Sequence, residues 1–75
     1  MKIGNLVRID LGFGTVKGDP LRCERQFAWG LIKEIHREGE RLMVHFIKDD
    51  REFLIKRSAI KVVVNDNGQI LSVTN

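Results

Sequence analysis

Residues 30–64, GLIKEIHREGERLMVHFIKDDREFLIKRSAIKVVV, decide the fold. Three short apolar runs, Leu31–Ile35, Leu42–Ile47 and Phe53–Ile55, are joined by two tight charged turns. A brief Ser58-Ala59-Ile60 step leads to a last apolar run at Val62–Val64. Strands this short, joined this tightly, predict a small and strongly bent β-barrel, an architecture used more for binding than for catalysis. Within the stretch, Leu42, Val44 and Phe46 alternate with Arg41, Met43 and His45, the period of two expected of a strand with one buried face. Phe53 and Ile55 supply the buried side of the next strand. Ile32 and Ile35 break strict alternation, and a β-bulge near Lys33-Glu34 would return both to the core while sharpening the bend. Arg37-Glu38-Gly39-Glu40 and Lys48-Asp49-Asp50-Arg51 are the hairpin turns, the first with a glycine available for positive φ. Arg57-Ser58-Ala59-Ile60 suits a single 3₁₀ turn.

Outward from this stretch, Val7, Ile9 and Leu11 alternate with Arg8 and Asp10 and mark a half-buried first strand. Gly12 to Phe27, with three glycines and the only proline, reads as a long connection, with Gly18-Asp19-Pro20 as its turn signal. Connections of that length on compact domains tend to carry function. Beyond Val64, Asn65-Asp66-Asn67-Gly68 is a strong turn, and Gln69–Val73 reads as an extra strand hairpinned on the fifth. The expectation is one all-β domain over residues 1–75, its barrel at about 3–64 and its added C-terminal hairpin at 65–75.

Seventy-five residues lie near the lower limit for folding without a metal or disulfide, since such a chain buries only about 60–65% of its unfolded surface. A deep catalytic cleft would cost that core heavily. Thirteen basic residues against ten acidic ones permit nucleic acid or an acidic protein as partner without requiring either. Cys23 is the only cysteine, so no internal disulfide forms and a reducing compartment is expected. Arg8 and Asp10 interrupt the region where a signal peptide needs an apolar core. No apolar run approaches the roughly 20 residues of a membrane-spanning helix. The expected location is the cytoplasm.

The constellations that could carry chemistry are weak. Gly12-Phe13-Gly14-Thr15-Val16-Lys17-Gly18 is one residue off a dinucleotide fingerprint and lacks the following helix. His36 pairs near residue 41 or 42, which sets it too far from His45 for joint ligation of a tetrahedral metal. Adjacent Asp49 and Asp50 point apart in a tight turn, and no motif holds a base beside Ser58. Arg22 and Arg25 flank Cys23 and could lower its pKa, although a lone loop thiol is more often incidental. No enzyme, metal or cofactor is expected.

Binding is better supported. The first connection carries Lys17, Arg22 and Arg25 and leads into Phe27 and Trp29, so charge and aromatic surface occur together. The expected site has Arg22, Arg25 and Trp29 at its centre and Arg41, Arg51 and Arg57 around it. Large aromatics anchor small cores, which draws Trp29 toward the interior as well. The chain has no tyrosine and the Lys48–Arg51 turn no aromatic, which argues against a methyl-lysine cage.

Gly4…Val7-Arg8-Ile9, Trp29-Gly30-Leu31-Ile32-Lys33-Glu34-Ile35, Val44-His45-Phe46 and Ala59-Ile60 resemble, over about residues 3–64, the SH3-like barrel in its Tudor-like form. Two relatives share this pattern of glycines and apolar positions: the RNA-polymerase-interaction domain of CarD-type regulators and the Tudor-like tail of bacterial repair helicases. The chain departs from them in its longer first connection and its added C-terminal hairpin. The resemblance implies a five-stranded barrel that docks, without catalysis, onto RNA polymerase or nucleic acid. The alternative is a small SH3-like accessory subunit of an enzyme or electron-transfer complex. A monomer, or a dimer through an open edge strand at Val62–Val64 or Ile70–Val73, is expected.

Overall fold

The computed structural model describes residues 1–74 and is all-β. Six strands, β1 (Leu6–Val16), β2 (Asp19–His36), β3 (Arg41–Phe46), β4 (Arg51–Lys56), β5 (Ile60–Val64) and β6 (Ile70–Val73), form one antiparallel sheet. Its order is β4-β3-β2-β1-β5-β6, and it curls into a half-barrel. The 3₁₀ turn before β5 spans Arg57–Ala59.

The concave face holds the core. Val7 and Ile9 from β1, Ile32 from β2, Leu42, Val44 and Phe46 from β3, and Ile60 and Val63 from β5 are buried against one another. Burying each is worth about 1.5–3 kcal/mol. β3 follows its alternation without a break, with Leu42, Val44 and Phe46 inside and Arg41, Met43 and His45 outside. The expected bulge in β2 is present as a register shift between Ile32 and Glu34. It turns Ile35 to the same face as its partner Leu42, although Ile35 sits at the rim and stays 40% exposed. Two hydrogen bonds staple the N-terminal segment to β2, and a third closes the segment on itself. Gly4 donates its N–H to the Ile32 carbonyl at 2.9 Å, Ile32 returns one to Asn5 at 3.0 Å, and the buried Asn5 side chain accepts the Lys2 N–H at 2.8 Å.

Three expectations need correction. The stretch from Gly12 to Phe27 is not a loop. β1 runs on to Val16 and β2 starts at Asp19, paired from Asp10↔Phe27 to Thr15↔Cys23 and closing at Val16↔Asp19. The turn is at Lys17-Gly18, with Gly18 at φ +88°, and Pro20 sits at the register shift beside it, where a missing N–H costs least. Among the described residues, no further strand lies beside this ribbon beyond Asp10 and Phe27, and its projection elongates the molecule to 39 × 23 × 22 Å. Second, Trp29 is not a core anchor: it lies opposite Arg8 on the convex face and is 41% exposed. Third, Phe53 faces the concave side but is 47% exposed. Its ring meets that of Phe46 edge-on, at 5.5 Å between centroids, and among the described residues no strand pairs with the outer side of β4 at that seam.

Candidate functional site

The projecting β1–β2 ribbon, called the arm below, starts at a bulge. Asp10 pairs with Phe27 and Gly12 with Gln26, leaving Leu11 as the extra residue. Gly12 takes φ +82°, a left-handed conformation that glycine adopts without strain. The Asp10 carboxylate accepts the Gly12 N–H at 2.8 Å, pinning the bulge, and also forms an ion pair with Arg25 Nη1. The Gly12 N–H is the main cause that holds the Asp10 carboxyl below its ordinary 3.8. Burial opposes the shift, while the Arg25 hydrogen bond and charge and the Lys61 charge reinforce it.

Side chains two apart on a strand share a face, so Arg25, Phe27 and Trp29 line one side of β2. Their partners Phe13, Asp10 and Arg8 line the same side of β1. The Arg8 guanidinium stands 4.2 Å from the centre of the Phe27 ring, and that of Arg25 stands 4.8 Å from the Phe13 ring. Each guanidinium is thereby held over a ring by a cation–π contact, and Arg25 also spends one donor on Asp10. Arg8, Arg25, Phe27 and Lys61 line a shallow groove of about 480 Å³, walled on its far side by Val62 and Val73. Three cations face one carboxylate there.

The six residues expected at the site fall in four places. Arg25 and Trp29 share this convex strip. Arg22 lies farther out on the arm and is tied to Glu24 at 2.5 Å. Arg41, between His36 and Lys56, and Arg57, whose N–H bonds the Glu40 carbonyl at 3.0 Å, sit together at the β2–β3 turn. Arg51 begins β4 opposite Phe46, at the other end of that strand pair. The structure therefore brings Arg25 and Trp29 together and leaves the other four outside their strip. Arg8, Asp10 and Lys61 were not expected beside them. Their signal lies in the sequence, since Arg25-x-Phe27-x-Trp29 against Arg8-x-Asp10 already has a period of two, but it becomes visible only when the stretch is read as strand.

A second, apolar groove of about 360 Å³ opens on the concave side at the seam, between Leu11 and Ala28 on one wall and Phe46, Phe53 and Ile55 on the other. His45 Nε2 lies 2.8 Å from Asp50, and its Nδ1 lies 3.5 Å from Glu52. His36 pairs with Arg41 and His45 with Leu31, so the two imidazoles are well separated. Among the described residues, no three His, Cys, Asp or Glu side chains are grouped to hold a metal ion. Cys23 is free and exposed on the arm. No helix among the described residues is long and apolar enough to cross a membrane. Comparison with family models, curated proteins and solved structures gives no match.

Proposed function

We propose that this chain is a non-enzymatic binding module of a nucleic-acid-metabolism complex, with the convex face of the arm as its contact to nucleic acid. The observation that carries the reading is the strip of Arg8 on Phe27, Arg25 on Phe13 and the exposed Trp29. Guanidinium groups bind phosphate through fixed donors and stack on bases through their planes. Exposed aromatic faces add about 1–3 kcal/mol per stacked base. A shallow strip of such groups suits an unpaired strand, whose bases can splay, better than the edges of a duplex. The sheet order β4-β3-β2-β1-β5 with a 3₁₀ turn before β5 supports reading the first five strands as an SH3-like barrel of the Tudor-like type. On that reading RNA polymerase is the protein partner that the complex would offer.

Anisotropy titrations of labelled single-stranded and duplex oligonucleotides at two salt concentrations test the reading. Single strands should bind more tightly, with log affinity falling at a slope near −0.7 per phosphate contacted. Exchanging Arg8 and Arg25 for glutamine together should cost about tenfold or more in affinity with the fold intact. Absence of binding to any oligonucleotide at low salt removes the nucleic-acid contact. The apolar seam groove favours the second reading, an accessory subunit docking on a protein complex. Affinity purification from the native source separates the two, recovering polymerase or repair proteins in one case and a redox complex in the other.

A further inference from the structure

The convex groove does not end at Lys61. Lys61 and Thr74 also line a second hollow of about 370 Å³, on the side of β5 that faces the core. Its floor is the buried pair Ile60 and Val63, and its polar wall is Arg57, Ser58, Lys61, Ser72 and Thr74. Both cations are anchored through their backbones. Arg57 opens the 3₁₀ turn with its N–H on the Glu40 carbonyl at 3.0 Å. Lys61 is the extra residue of a bulge, since Arg8 pairs with Val62 and Ile9 with Ile60. Its carbonyl accepts the Thr74 N–H at 2.6 Å. The Lys61 ammonium gives one donor to the Ser58 carbonyl at 3.2 Å and keeps two.

The two hollows differ in charge. Asp10 stands among the cations of the convex groove and holds Arg25. No carboxylate lines the second hollow, and among the described residues neither Arg57 nor Lys61 is in an ion pair. Glu38 shares only the neighbouring hollow with Arg57. Two uncompensated cations beside three hydroxyls are a donor set that proteins turn to phosphate oxygens.

We propose that the Arg57–Lys61 hollow is a phosphate subsite that takes the backbone of a single strand beyond the convex strip. The strand turns round the end of β5 and β6, where Lys61 and Thr74 border both hollows. This extension rests on the nucleic-acid contact proposed above and gives that contact a direction across the molecule. It runs from Arg25 over Arg8 to Lys61 and ends at Arg57. The adjoining aromatic strip favours a nucleic-acid strand over an acidic peptide, because it offers stacking to bases.

Anisotropy titrations of oligothymidylates of about 4 to 16 nucleotides read the subsite separately from the strip. Affinity should step up at the length that passes Lys61, and the salt slope should steepen there by about 0.7, one phosphate's share. Arg57→Gln should remove both the step and the added slope, while the shorter oligonucleotides bind as before. Arg51→Gln, the same loss of charge at the other end of the β3–β4 pair, should keep both. The two arginines are exposed, so both variants should unfold cooperatively, which circular dichroism checks. Equal binding of wild type and Arg57→Gln at every length overturns the subsite and leaves the strip standing. Equal weakening at every length overturns it too, as a general effect of charge. If no oligonucleotide binds, the strip reading falls, and inorganic pyrophosphate then probes the hollow alone through amide shifts in NMR. Shifts at Ser58, Lys61 and Thr74 that Arg57→Gln abolishes support a phosphate site filled by a free ester. No shift, or equal shifts with a glutamate peptide, overturns it.

Discussion

At Gly30 the backbones of β2 and β3 approach so closely that no side chain fits. A Cβ there would lie 2.3 Å from Val44 Cγ1 and 2.9 Å from the His45 carbonyl oxygen. Gly30→Ala should therefore destabilise the fold by about 1–3 kcal/mol, the usual cost of overpacking, as urea unfolding would show. Adding Val44→Ala should make the combined loss smaller than the sum of the two, because the methyl in the way is gone while the carbonyl remains. Asp10 poses a different question, since one carboxylate both pins the bulge and holds Arg25. Its folded-state pKa is lowered below 3.8, so its stabilising contribution is complete above that value and is lost as pH falls through the lower folded-state value. Asp10→Asn keeps an oxygen for the Gly12 N–H and removes the charge on Arg25. The variant should lose the acid-side change in stability and, on the proposed function, bind single-stranded oligonucleotide a few-fold more tightly. Titrating both proteins by pH and by ligand measures the two effects.

Among the elements, β3 was legible from its residues because one face meets the core and the other meets water, so burial writes itself into the pattern. The bulge at Lys33 and the 3₁₀ turn were legible for the same reason, each being forced by isoleucines that must reach one interior. The arm was not. Both faces of its distal half are wet, so Arg22, Cys23 and Glu24 show no apolar alternation, and only main-chain hydrogen bonding makes them strand. Phe53 misled in the opposite sense, since its pattern is that of a core residue while the strand that would cover it is missing from the seam. Of the candidate site, Arg25 and Trp29 could be found as charge beside aromatic, whereas Arg8 and Lys61 depend on a strand pairing that composition does not reveal. The β2–β3 turn shows a further property of an element. Arg37, Glu38 and Gly39 all have positive φ, 50°, 56° and 95°, and only the last is free of the Cβ penalty of about 1–2 kcal/mol. Glu38→Asn, which tolerates this conformation better, should raise stability by up to about 1 kcal/mol in thermal or urea unfolding.

For the whole molecule, the eight buried apolar side chains among the described residues all belong to β1, β2, β3 and β5, so neither β4, β6 nor the arm's far half supplies a buried core residue. Deleting residues 66–75 should leave a chain that still unfolds cooperatively; non-cooperative unfolding of the truncated protein would show that β6 is needed to hold β5 in place. β1 occupies a singular position in this economy of strands. It lies between β2 and β5, contributes Val7 and Ile9 to the core, and ends in an exposed turn at Lys17-Gly18. Cutting the chain at that turn would not sever the fold but divide it into a plug and a socket: a peptide of residues 1–17 and a remainder with an empty slot between β2 and β5. Prepared separately, residues 18–75 should lack ordered structure and gain it when the peptide is titrated in. The protein would then act as a split reporter whose two pieces regenerate one sheet on meeting.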